Sequence, residues 1–183
     1  MPATRKVSRE EIVDAAVAVL CDDGFSAVNA RSVAKKLGCS TQPIFSYFSG
    51  MEDLKNALEG KAWALFMEEI AGAVEEDMPL LACSLTYFRF AVEQPHLFRS
   101  LFMTRRNAQE REAIGMNGEL NRRMEAAVIE KDHIDEEKAK RRCTALRIYA
   151  HGLASLQAMD LLGMPQEEAE EMLRSAMKEI EVR

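Results

Sequence analysis

Apolar residues fall at helical spacing along most of the chain. Ser8 and Glu11 form a capping box, and Ile12, Ala15, Ala16, Val19 and Leu20 follow as one apolar stripe. Asp22-Asp23-Gly24 stops this predicted helix, with Gly24 suited to a left-handed close and Phe25 placed to fold back on the core. A second helix starts at the N-cap Asn29, with Ala30, Val33, Ala34 and Leu37 inward and Arg31, Lys35 and Lys36 outward. Gly38 ends it. Ser40 is the expected N-cap of a third segment, Thr41 to Phe48, where Pro43 sits in the first turn and Ile44 and Phe48 form the buried face.

The rest of the chain continues in this mode. One long helix is predicted over 52–76, with Leu54, Leu58, Leu65 and Val74 among its apolar positions. Gly60 within it reads as close packing against a neighbour, or as a compliant point between domains; packing is preferred. Pro79 opens an apolar segment, and Gln94-Pro95-His96 separates it from a short helix carrying Leu97, Phe98, Leu101 and Phe102. Met103 to Asn107 is a polar connection, and a helix is expected over 110–130, weakened near Gly115 and Gly118. Asp135 caps another helix through about Leu162, closed by Gly163, and Pro165 opens the last, with Met172, Leu173, Ala176, Met177 and Ile180 inward.

Composition agrees with an all-α chain. Ala, Leu, Met and Glu total 75 of 183 residues, whereas Val, Ile and Thr total 23. Net charge is −6, but it is uneven: residues 1–50 carry +1 and residues 51–183 carry −7. The acidic second part leaves nucleic-acid contact by the first part open. Cys21, Cys39, Cys83 and Cys143 are scattered, with no histidine at ligand spacing, so they read as packing thiols of a reducing cytosol rather than a metal site. No apolar run is long enough to span a bilayer and no secretory leader is present, so a cytoplasmic protein without a membrane partner is expected.

Two short helices joined through a glycine turn match the helix-turn-helix arrangement, whose second helix enters the major groove. The candidate DNA contacts are Arg31, Ser40, Thr41, Gln42, Pro43, Phe45, Ser46 and Tyr47. Gln42 suits bidentate pairing with adenine, Thr41 and Pro43 carbons suit a thymine methyl, and the Tyr47 hydroxyl suits a phosphate. The spacing alone also fits a small three-helix core without a partner.

The stretch from Ser8 to about Leu58 resembles the N-terminal domain of the tetracycline-repressor (TetR) family of bacterial transcription regulators. The matching residues are the Ile12–Leu20 helix, Gly24-Phe25, Arg31-x-Val33-Ala34, Leu37-Gly38-Cys39-Ser40, Ile44-Phe45-x-Tyr47-Phe48 and Leu54. The resemblance implies a DNA-binding domain over residues 1–50 and a helical ligand-binding and dimerising domain over 51–183. It also implies a dimeric repressor, released from double-stranded operator DNA by a small molecule. Two positions depart from the family pattern: Phe45 and Met51 stand where Tyr and Lys are usual, each losing a phosphate contact. Arg5 and Lys6 can compensate.

The chain's eleven Met residues, together with Phe66, Tyr87, Phe90, Phe98 and Phe102, suggest a pliable apolar cavity in the second part for a small, largely apolar effector. Its candidate residues are Phe66, Tyr87, Phe90, Phe102, Met124 and His151. His151 reads as a core histidine or a ligand contact, with the core preferred. Tyr149-Ala150-His151-Gly152 resembles the Trp-x-x-His-Gly signature of one subgroup of the family, without its Trp. The resemblance implies a homodimer through helices near 137–162 and 165–181; small residues Ala150, Gly152, Ala154, Ser155 and Ala158 allow close helix approach. Nothing in the sequence supports an enzyme: no phosphate loop, nucleophile elbow, metal-ligand cluster or cofactor motif is present, and His96, His133 and His151 have no local partner set. The competing class is a helical protein-binding adapter with weakened operator contacts.

Overall fold

The computed structural model describes residues 7–105 and 118–182, and every regular element among them is helical. The helices are α1 (Arg9–Asp23), a 3₁₀ turn (Phe25–Ala27), α2 (Ala30–Leu37), α3 (Gln42–Tyr47), α4 (Met51–Val74), α5 (Pro79–Glu93), α6 (Pro95–Phe102), α7 (Glu119–Asp132), α8 (Glu136–Ala158) and α9 (Gln166–Val182). The chain divides into two compact units, Met1–Leu65 and Phe66–Arg183, and the division falls inside α4.

In the smaller unit, α1 starts with both bonds of the capping box: the Glu11 amide donates to Ser8 Oγ at 3.1 Å and the Ser8 amide to Glu11 Oε2 at 2.8 Å. The helix buries more than one stripe, because Val13 and Val17 join Ile12, Ala16 and Leu20. Gly24 ends it at φ 85° and ψ 168°, not in the left-handed helical region. That combination is open essentially only to glycine. Phe25 does not fold back: it is 44% exposed, with the Lys55 ammonium 5.2 Å from its ring centre. The 3₁₀ turn instead delivers Val28 to the core.

Asn29 caps α2 by accepting from the Arg31 and Ser32 amides, while Ser32 Oγ accepts from the Asn29 amide. Val33 and Ala34 are buried, and Gly38 turns the chain at φ 68°. The Cys39 amide reaches the Ala34 carbonyl at 3.0 Å, the outer bond of a Schellman close. The N-cap of α3 is Thr41, not Ser40, and its side chain makes no capping bond. A cap hydroxyl serves the second or third amide of the helix; here the second is Pro43, which has none.

Along α4, Leu54, Leu58, Ala62, Phe66 and Ile70 are buried at fourfold spacing, and Leu65 is only half-buried. A Cβ built at Gly60 would meet nothing within 4 Å among the described residues, so none of them packs closely there.

In the larger unit, α8 packs against α5, α6, α7 and α9, and α5 packs against α6, α7 and α9 as well. The expected helix over 110–130 is described from Glu119 onward; its earlier part, Gly115 and Asn107 lie outside the described residues. α8 ends at Ala158, short of Leu162. The Leu161 amide closes on the Leu156 carbonyl at 2.8 Å, and Asp160 and Gly163 take positive φ in the turn that follows. Arg99 of α6 donates to the Ala158 carbonyl at 2.8 Å, satisfying an orphan acceptor of the helix end.

The acidic start of α9 is not all solvated. Glu170 is buried and accepts two bonds from Arg89 of α5, from Nε at 2.8 Å and Nη2 at 2.7 Å, and one from Gln166 at 2.9 Å. The Arg89 guanidinium, with help from Gln166 and Arg174, pulls its pKa from 4.5 to about 2. A carboxylate held below its unfolded value stabilises fully above that value, and the gain is lost as pH falls through the folded one. Glu170→Gln is therefore expected to cost about 1–2 kcal/mol at neutral pH, discounted because Arg89 is partly exposed. Urea titrations should show the difference from wild type shrinking as pH falls from about 4.5 towards 2. A pH-independent difference would show that the charge is not what matters.

Candidate DNA-recognition face and effector core

The short helix α3 is fixed by its buried side. Ile44 and Phe48 are 0% and 2% exposed and anchor it to the smaller unit. At about 100° per residue, Gln42, Pro43 and Ser46 centre on the opposite side, flanked by Phe45 and Tyr47. Phe45 and Tyr47 are 53% and 41% exposed, a large apolar area to leave in water. Gln42, Ser46, Ser40 and Arg31 are exposed, and Thr41 and Pro43 are half-buried. Ser46 Oγ donates back to the Gln42 carbonyl at 3.0 Å.

The positive charge around this face is partly committed. Lys36 pairs with Asp22 at 2.7 Å, Lys61 with Asp14 at 3.3 Å, and the Arg9 guanidinium lies 4.9 Å from the Phe48 ring centre. Met51 opens α4 and adds no charge. Arg5 and Lys6 lie outside the described residues.

In the larger unit, five of the six expected effector residues come together. Phe66 of α4 contacts Phe90 and Phe102 with ring centres 5.2 and 4.9 Å apart, and Tyr87 stands 4.9 Å from Phe102 and 6.1 Å from His151. Met124 is buried on α7. Phe98, read from the sequence among the same aromatic residues, joins them, with its ring 5.2 Å from Tyr87 and 5.0 Å from Phe102. The rings pack against one another within the larger unit.

A polar line runs through these rings. Tyr87 Oη lies 2.8 Å from His151 Nδ1, and His151 Nε2 lies 3.3 Å from Ser155 Oγ. Burial raises the pKa of Tyr87, so the phenol keeps its proton. Burial and the nearby Arg147 lower that of His151, which favours the neutral imidazole. Ser155 and Arg147 were absent from the sequence-level site. The spacing of His151 and Ser155, one helical turn, marks the first.

The model for "Tetracyclin repressor-like, C-terminal domain" matches residues 80–180, and that for "Bacterial regulatory proteins, tetR family" matches residues 12–58. The chain belongs to the TetR family. No curated protein matches it. Among solved structures, a TetR-like transcriptional regulator from Rhodococcus sp. RHA1 is 18% identical, with 95% of each chain covered and a TM-score of 0.61. The TetR family repressor AlkX from Dietzia sp. Strain DQ12-45-1b, implicated in biodegradation of n-alkanes, is also 18% identical over 95% of this chain and 98% of its own, with a TM-score of 0.42.

TetR-family proteins are non-enzymatic DNA-binding regulators, and the two matched segments include the α3 face and every ring of the core except Phe66. Among the described residues, no group of three His, Cys, Asp or Glu could hold a metal, and no helix is long and apolar enough to cross a membrane. Cys83 and Cys143 are buried, and burial pushes both thiols up to about 12, far from reactive thiolates.

Proposed function

We propose that this TetR-family chain is a ligand-responsive repressor that binds a palindromic operator as a homodimer and leaves it when a small, largely apolar molecule binds. The observation that carries the reading is the α3 face, with Gln42 and Ser46 at its centre and two aromatic rings exposed at its flanks. Arg31, Ser40, Thr41 and Pro43 complete the expected contact set. Finer assignment to the Trp-x-x-His-Gly subgroup rests on His151 and Gly152 alone. A gel shift with DNA flanking the chain's own gene tests the function. The expected result is a complex that unrelated DNA does not compete away at moderate salt. Equal affinity for unrelated DNA favours instead the helical adapter, the reading suggested by Phe45 and Met51.

Dimer formation is read from the outer face of α8. Ala150, Ala154 and Ala158 are 1%, 0% and 3% exposed within a single protomer, so these three of the five small residues first expected at the interface belong to the protomer's own core. The exposed stripe is Ile148, Tyr149, Gly152, Leu156 and Met159, with Ile148 63% and Leu156 44% exposed. Its spacing of three and four residues suits antiparallel or crossed packing of two copies of one helix. Beside it, between α8 and α9, lies a groove of about 270 Å³ lined by Tyr149, Glu171, Met172 and Glu179 among others. Gly152 is the discriminating position, because a Cβ there meets nothing within 4 Å in the protomer. Gly152→Leu should leave the protomer folded while shifting sedimentation towards monomer by at least 10-fold in dissociation constant. A dimer of unaltered affinity would remove α8 from the interface.

A further inference from the structure

The centre of the α3 face carries two polar side chains one turn apart, and they differ in what they offer a base. Gln42 ends in an amide that both donates and accepts. Ser46 is less free. Its Oγ lies 3.0 Å from the Gln42 main-chain carbonyl, which can only accept, so the hydroxyl proton is committed there. Such a bond to the fourth residue back is the ordinary local partner of a mid-helix serine. A hydroxyl has one proton and two lone pairs. What the exposed Ser46 turns to a ligand is therefore its lone pairs.

We infer that Ser46 reads the operator as an acceptor and selects an amino-bearing base, adenine or cytosine, on the strand nearer to it. In the major groove adenine presents N6–H₂ and cytosine N4–H₂, whereas guanine O6 and thymine O4 are acceptors. Against a keto base the Ser46 oxygen meets a second lone pair. Turning the hydroxyl round to donate gives up the Gln42 carbonyl bond. The two arrangements differ by about one hydrogen bond, a preference of about 3–10-fold. Of the two neighbours, Phe45 has no polar side-chain atom, and Tyr47 lies on the flank of the face.

This assignment rests on the operator-binding reading above, and one experiment separates the two. The full chain is used to select sequences from a random duplex library, as wild type, Ser46→Ala and Ser46→Thr, followed by affinities for single-base variants of the selected site. In wild type, one position per half-site should prefer adenine or cytosine over guanine and thymine by about 3–10-fold. Ser46→Ala should flatten that position and leave the others unchanged. Ser46→Thr keeps the hydroxyl and the bond to the Gln42 carbonyl, and should keep the preference. If wild type selects a palindrome whose preferences all survive Ser46→Ala, the assignment is overturned and the repressor reading stands. A flattened position that prefers guanine or thymine in wild type also overturns it. If wild type enriches no sequence, the operator reading itself fails, and this inference with it.

Discussion

Tyr87→Ala should lower the stability of the larger unit by about 3–5 kcal/mol, the range for deleting a buried aromatic side chain. For a unit of this size that is more than about 10 °C in melting temperature. Two terms add. The ring leaves a cavity among Phe66, Phe98 and Phe102, whose centres stand 6.0, 5.2 and 4.9 Å from it. Loss of the hydroxyl leaves His151 Nδ1 without the hydrogen-bond partner it has at 2.8 Å. Tyr87→Phe isolates the second term and should cost about 1–3 kcal/mol. Thermal unfolding followed by circular dichroism measures both. Alanine and phenylalanine variants of equal stability would show that the ring adds no packing. The same residue bears on the switch. A small apolar effector seated in this core has to part rings that are in contact, and it can release DNA only by preferring the conformation that no longer fits the operator. By linkage, operator DNA then weakens the effector by the same factor, ordinarily about 5–150-fold. A tight core ligand that leaves operator affinity unmoved would end the repressor–inducer reading for that ligand.

Gln42→Ala is expected to relax base preference at one position of each half-site, by about 1–3 kcal/mol if its amide pairs bidentately with adenine. Affinity for the best operator falls, and affinity for the operator altered at that base does not. Tyr47→Phe should act differently. Its hydroxyl, on the flank of α3, is assigned to a phosphate, so its loss weakens every site about equally and leaves the ranking intact. Titrating both variants against the operator and its single-base derivatives separates the two patterns. Wild-type binding by both variants would mean that another face of the smaller unit meets DNA. The modest charge of residues 1–50, +1, predicts a shallow salt dependence for all of them.

Local chemistry is what the sequence carried well. The capping box of Ser8 and Glu11, the Asn29 cap, the Gly38 close and the Asp135 cap each depend on atoms within a few residues, and each is formed. The Ile44/Phe48 anchor, which decides which side of α3 is exposed, follows from helical spacing alone. Other expectations fail. The α3 cap falls at Thr41 rather than Ser40, and its side chain makes no capping bond. Glu170 is buried because of a partner distant in sequence, Arg89, 81 residues away.

Within the larger unit the sequence by itself determined that helices form and that aromatic residues gather in a core. Only the tertiary structure decided which residues meet. His151 was left between core histidine and ligand contact; packing of α8 on α5 gave it the Tyr87 hydroxyl, a choice that no spacing within α8 could make. The small residues of α8 show the same limit. They repeat on two faces of one helix, and periodicity cannot say which face a neighbouring helix will cover. Packing within the protomer took Ala150, Ala154 and Ala158 and left Ile148, Gly152 and Leu156 outside, because burial is settled by contacts between elements far apart in the chain.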